Sequence, residues 1–297
     1  MASPNPSHVT PASPVRVLLW SNPRSLSTVF LKSMSRLDDV QIVCELYESA
    51  FKFGPERNTK AYVKSDCEGM YNESESGKYS LQPREHLYND SLCTYKWVRD
   101  IMESNFSGKQ VVFAKDIGYA LAGRYEMLPR GFQHTFLIRH PKKCFASWKK
   151  IWEKLLQTSM SYDRARANQY QTLYELMEHT RRLNSQSEPV VIDADDLQRH
   201  PESILRQYCE ATRIPYRPKI LEWNAGDEIL NTMVATKNMV LNGTITDGGF
   251  FADAFRSTSF KPPSSSDMSS IDDDVPEQLL QATMPYYEKM YALRIKP

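Results

Sequence analysis

The residues with the clearest chemical potential cluster near the start of the chain. Val15–Leu37 reads VRVLLWSNPRSLSTVFLKSMSRL. The apolar run Val15, Val17, Leu18, Leu19, Trp20 predicts a short strand, Ser21-Asn22-Pro23 a tight turn, and the following residues a helix. Pro23 suits a turn or the first helical position, where its missing N–H costs nothing. Ser25, Ser27 and Thr28 then put hydroxyls into the first helical turn beside the guanidinium of Arg24, with Leu26 between them. A helix start already carries free N–H groups and the positive end of the peptide dipole. Hydroxyls and an arginine added there make an anion site, most naturally for phosphate. The same residues would also make an ordinary strand–turn–helix with a serine cap.

A second stretch, TFLIRHPKKCFASW from Thr135 to Trp148, has related logic. An apolar strand ends in Arg139, the turn contains Pro141, and Ser147 lies on the next helix. An arginine at a strand end and a helix serine can converge on one anion. Two such sites at one sheet edge suit a ligand with two phosphate groups.

These motifs need a scaffold, and the chain supplies alternating elements. Val40–Tyr47, Val111–Ala114, Thr135–Ile138 and Pro189–Ile192 read as buried strands. Ser91–Asn105, Tyr119–Leu128, Lys142–Leu156, Tyr162–Leu183, Pro201–Ala211, Phe250–Arg256 and Pro276–Leu293 read as helices. The alternation predicts an α/β fold, a mostly parallel sheet flanked by helices. In such sheets ligands bind at the carboxyl ends of the strands. That rule brings Arg24, Lys115-Asp116, Arg139 and Asp195 to one edge. Residues 1–14 are expected to form a polar, proline-punctuated arm, and 15–297 a single α/β domain. Residues from about 50 to 110 read as an acceptor-side or lid insertion, or as a solvated excursion. Asn242–Gly249 reads as a turn-rich loop and residues 261–275 as a surface loop.

Composition narrows the function classes. With 41% hydrophobic and 25% charged residues the chain is globular, and its net charge of +1 does not point to nucleic acid or a membrane as partner. No apolar run approaches the roughly 20 residues that span a bilayer. The first residues lack the apolar core of a secretory signal, and five scattered cysteines without CxxC spacing fit reduced thiols. The expectation is a cytoplasmic protein without a zinc site, and no metal-ligand cluster is visible.

The paired motifs resemble those of the sulfotransferase family, the enzymes that use 3′-phosphoadenosine 5′-phosphosulfate. Asn22-Pro23-Arg24-Ser25-Leu26-Ser27-Thr28 looks like the family's 5′-phosphosulfate loop, in a Pro-Arg-Ser variant. Arg139 and Ser147 resemble its 3′-phosphate pair. Asp195-Asp196-Leu197 followed by Pro201, and Asp247–Phe260, are similar to later family segments. The resemblance implies the P-loop NTPase-like sulfotransferase fold. It implies transfer of a sulfuryl group to a hydroxyl or amine of a small-molecule acceptor, with adenosine 3′,5′-bisphosphate as product and no metal. Two departures stand out. Ala194 occupies a position where a tyrosine often contributes to the nucleotide pocket. The usual histidine two residues after the strand-end lysine is replaced by Ile117.

Sulfuryl transfer asks the protein to hold groups in line and stabilise spreading charge. Arg24 and the helix-start N–H groups suit that role, and Lys115 could assist the leaving oxygen. An acceptor hydroxyl also needs a base within reach. Asp116 is the first candidate, Glu45 the second and His86 the third. Asp116 could instead pair with Lys115 or cap a helix. His134 and His140 read as structural, and His8, His179 and His200 as surface residues. Other readings are a sulfotransferase-like enzyme with altered chemistry, such as elimination or another nucleotide, and a non-catalytic nucleotide-binding protein. A small-molecule kinase is disfavoured because the glycine-lysine P-loop and a magnesium pattern are absent.

Overall fold

The computed structural model describes residues 13–57, 86–156, 164–183, 188–244, 250–262 and 275–297. The expected arm falls almost wholly outside these residues. So do 58–85 of the expected insertion, 245–249 of the expected loop and 263–274 of the surface loop.

The centre is β1 (Val15–Ser21), which pairs in parallel with both β3 (Val111–Ile117) and β4 (Gln133–Ile138). β2 (Val40–Cys44) extends the sheet beyond β3, and β5 (Val190–Asp193) extends it beyond β4. The order is β2-β3-β1-β4-β5, and every pairing is parallel. The helices are α1 (Ser27–Met34), α2 (Leu46–Lys52), α3 (Tyr95–Glu103), α4 (Pro141–Leu156), α5 (Arg164–Leu183), α6 (Ala194–Arg199), α7 (Pro201–Thr212), α8 (Lys237–Thr244), α9 (Ala252–Arg256) and α10 (Glu277–Ala292).

Side chains alternate across a strand, so β1 feeds two cores. Val17 and Leu19 join Phe30 of α1, Leu197 of α6 and Tyr208 of α7. Leu18 and Trp20 join Tyr47 of α2, Val98 of α3, Leu173 of α5 and Met290 of α10. Burial on both faces is why β1 reads as a continuous apolar run and not as an alternating one. Each fully buried large side chain contributes roughly 1.5–3 kcal/mol over exposure.

Several expectations shift at element ends. The second strand stops at Cys44, because Glu45 takes a left-handed conformation (φ 52°) and α2 begins at once. Lys115 and Asp116 lie within β3, which runs three residues beyond the expected Ala114. The helix expected at Tyr119–Leu128 is two short 3₁₀ turns, Gly118–Leu121 and Tyr125–Met127. Positive φ at Ala122 and Gly123 separates them. Asn242–Thr244 close helix α8 and do not form part of a loop. Among the described residues, no helix is long and apolar enough to cross a membrane.

Candidate active site

The register aligns the carboxyl ends. Ser21 lies opposite both Ile117 and Leu137, Cys44 opposite Lys115, and Ile138 opposite Asp193. The residues following β1, β2 and β4 therefore emerge along one edge with Lys115.

The turn after β1 carries two left-handed non-glycine residues, Arg24 (φ 66°) and Leu26 (φ 69°). Each costs roughly 1–2 kcal/mol, so the surroundings must hold them. Arg139 does part of this, donating from Nη1 to the Arg24 carbonyl at 2.9 Å. The alternative of a serine cap does not occur. Leu26 is the N-cap of α1 without a side-chain cap bond, and Ser25 Oγ donates to the Asn22 carbonyl at 2.7 Å. The first N–H groups of α1 thus have no side-chain cap, with the dipole behind them.

The two arginine motifs touch. Arg24 Nε donates to Ser147 Oγ at 3.0 Å, and Nη1 donates to the Phe250 carbonyl at 3.0 Å. Nη2 lies 3.4 Å from Asp253 Oδ2, an exposed carboxylate. Burial lowers the Arg24 pKa and Asp253 opposes that shift. Arg139 keeps a buried Nε with no hydrogen-bond partner among the described residues.

Two cavities meet at this loop. The larger, about 340 Å³, is lined by Arg24, Ser27, Thr28, Arg139, Ser147 and Lys150 among others, and Leu26 also borders it. The smaller, about 80 Å³, is lined by Pro23, Glu45, Glu48, Lys115, Tyr119 and Trp148 among others. Arg24, Ser27, Thr28 and Phe250 border both. Ser25 borders neither and is fully buried behind the turn.

Lys115 is 2% exposed and forms an ion pair with Glu45. Burial alone would lower its pKa, but Glu45, Cys44 and Asp116 outweigh burial and raise it. Lys115 is therefore held as an ammonium. Asp116 is its neighbour in β3 and borders neither cavity. The Asp116 carboxylate accepts from the N–H groups of Tyr47 (2.7 Å) and Glu48 (3.0 Å), capping α2, and from its neighbour Ile117 (2.9 Å). Burial pushes its pKa up to about 8, against the N–H groups of Ile117 and Tyr47. Of the two alternatives to a base, the helix cap is what forms, on α2 and not on residues 118–128. His86 is also away from the cavities, with Nε2 3.0 Å from the Leu230 carbonyl. Glu45 alone among the three base candidates borders either of these two cavities.

At the end of β5, Asp193 caps α6 by accepting from Asp195 N (2.9 Å) and Asp196 N (3.2 Å). Tyr287 Oη donates to its other oxygen at 3.0 Å. Burial and the nearby Asp195 push the Asp193 carboxyl up to about 6. Asp195 pairs with Lys143, another residue of the larger cavity, and Asp196 pairs with Arg294. His134 accepts from Trp20 Nε1 at 3.1 Å and supports β1 from the start of β4. His179 stacks on Tyr125. Cys44, Cys93, Cys144 and Cys209 are buried free thiols. Among the described residues no cluster of His, Cys, Asp or Glu could hold a metal ion.

Sequence reasoning misses Glu48, Tyr119 and Phe250 as cavity residues. Glu48 follows Glu45 by one helical turn at the end of β2, which was the available signal. Phe250 sits in the family-like C-terminal segment.

A profile of the sulfotransferase domain matches residues 109–294. The chain belongs to the sulfotransferase family. The solved "Sulfotransferase Domain from the Curacin Biosynthetic Pathway" shares the fold at a TM-score of 0.50 and 15% identity, covering 97% of this chain and all of that one. Two curated relatives from Arabidopsis thaliana are named branched-chain-amino-acid aminotransferase-like proteins 2 and 1. Each is 26% identical, over 70% and 72% of this sulfotransferase-family chain. The chain spans about a third of their length.

Proposed function

We propose that this chain transfers a sulfuryl group from 3′-phosphoadenosine 5′-phosphosulfate to a hydroxyl or amine of a small-molecule acceptor. The observation that carries this reading is the meeting of two cavities at the Pro23–Thr28 loop. One cavity is cationic and of nucleotide size; the other is small and lined by paired charges. The nucleotide fits the larger one. The orphaned Arg139 Nε, the fork of Arg24, Ser147, Lys150 and the uncapped start of α1 all offer donors to phosphate groups.

When bound, the nucleotide supplies an activated sulfuryl group on an anhydride and leaves as adenosine 3′,5′-bisphosphate. Arg139 and Ser147 hold one phosphate. Arg24, Ser27, Thr28 and the α1 N–H groups hold the other end, where charge develops. Lys115, kept cationic beside Glu45, stabilises that charge from the acceptor side. Glu45 takes the hydroxyl proton of the acceptor, in place of the missing histidine. Buried reduced cysteines favour the cytoplasm.

The test is incubation with the nucleotide and a panel of small alcohols, phenols and amines, read by mass spectrometry. A product heavier by one SO₃ group, lost in Glu45→Gln, supports transfer. Desulfated or eliminated products would move the reading to altered chemistry. No product across the panel, with nucleotide binding intact, would leave a non-catalytic binding protein.

A further inference from the structure

The smaller cavity contains an unused recognition group. Glu48 is 2% exposed and lies one turn after Glu45, on the first turn of α2. One carboxylate oxygen, Oε1, is fully engaged: Tyr119 Oη donates to it at 2.7 Å and Lys52 forms an ion pair with it. The other, Oε2, is buried with no hydrogen-bond partner among the described residues. A buried carboxylate oxygen left unpaired is costly, so a site built this way expects a donor from outside.

The charges say what kind of donor. Lys52 already balances Glu48, and Lys115 balances Glu45. A further cation would leave an uncompensated charge in a buried pocket, which is unfavourable. A neutral hydroxyl satisfies Oε2 without that penalty. The aromatic residues Trp148 and Phe250, ring centroids 5.6 Å apart, border the same cavity and offer a wall to the carbon frame beside it. Glu45 and Glu48 line the same small cavity, so they can engage two hydroxyls of one molecule.

We infer that the acceptor is a neutral diol: one hydroxyl is presented to Glu45 for transfer and an adjacent one donates to Glu48 Oε2. Glu48 is then a specificity-determining residue. This inference rests on the sulfotransferase reading above and narrows its acceptor.

The test uses the full chain saturated with adenosine 3′,5′-bisphosphate, with catechol and phenol as one probe pair and cis-cyclohexane-1,2-diol and cyclohexanol as another. Dissociation constants are read by ligand-observed NMR. At least one diol is expected to bind about tenfold tighter than its mono-hydroxyl partner, as for one hydrogen bond to a charged group. Which pair shows the preference tells a flat frame from a puckered one. In Glu48→Gln, which replaces the charged acceptor by a neutral amide, the preference should fall to a few-fold or less while bisphosphate affinity stays unchanged. Equal binding of diol and mono-ol to the wild type would overturn the inference. So would the full tenfold preference retained in Glu48→Gln, or tighter binding of the permanently cationic 2-hydroxyphenyltrimethylammonium than of catechol. Failure of the bisphosphate to bind at all would instead remove the sulfotransferase reading itself.

Discussion

The two ends of the sheet edge handle charge differently. On the β1–β4 side, cations are fixed by neutral oxygens from other elements: Arg139 holds the Arg24 carbonyl, and Arg24 holds Ser147 and Phe250. Arg24 meets the exposed Asp253 and Lys143 pairs with Asp195, while Arg139 keeps a buried Nε with no hydrogen-bond partner among the described residues. On the β2–β3 side each cation meets a carboxylate, Lys115 with Glu45 and Lys52 with Glu48. The first arrangement attracts an anion. The second stays near neutrality and offers a base and an acceptor oxygen. Under the proposed function, the difference separates nucleotide binding from acceptor chemistry within one cleft.

Substitutions can take the two sides apart. The largest effect is expected from Glu45→Gln: turnover falls about 10²–10⁴-fold with the proton acceptor gone, while bisphosphate affinity is kept. A parallel loss of affinity in calorimetry would join the two sides again. Arg24→Ala should lower both turnover and affinity, each by about tenfold or more, because Arg24 borders both cavities.

Stability measurements sharpen the contrast. Asp193, under the nucleotide side, has a folded pKa near 6, above the roughly 3.9 of an unfolded chain. The fold therefore binds its proton more tightly. The associated stability is fully present below about pH 4 and is lost as pH rises through 6, by about 3 kcal/mol. Urea titrations of Asp193→Asn against the wild type should show that slope removed between pH 4 and 7. Asp116→Ala removes the cap of α2 on the acceptor side and should cost about 1–3 kcal/mol. At a temperature where the variant is folded its affinity for the bisphosphate should be normal. The smallest effect is expected from Ser147→Ala, a few-fold weaker bisphosphate binding through one lost hydroxyl.

How much of this was legible in the sequence follows the same division. That Arg24, Ser27, Thr28, Arg139 and Ser147 come together at one cavity was legible because a guanidinium fork and a helix start leave a local pattern behind an apolar strand. The parallel sheet was visible because both faces of β1 are buried, leaving a continuous apolar run. The acceptor side was less legible because its residues are locally ambiguous. Asp116 sits where a base could be, but its carboxylate is taken by the N–H groups of a helix 68 and 69 positions away. That helix was missed because Glu45 breaks β2 in a left-handed conformation that its type does not announce. Glu48 acquires its role only through Tyr119 and Lys52, and the first of these comes from another strand end.

The decisive measurement is calorimetric titration of adenosine 3′,5′-bisphosphate into the wild type and into Arg139→Ala. Micromolar or tighter binding to the wild type, weakened about 100-fold or more in the variant, is the expected result. No binding to the wild type, or equal binding to both, would contradict a nucleotide site built on Arg24 and Arg139.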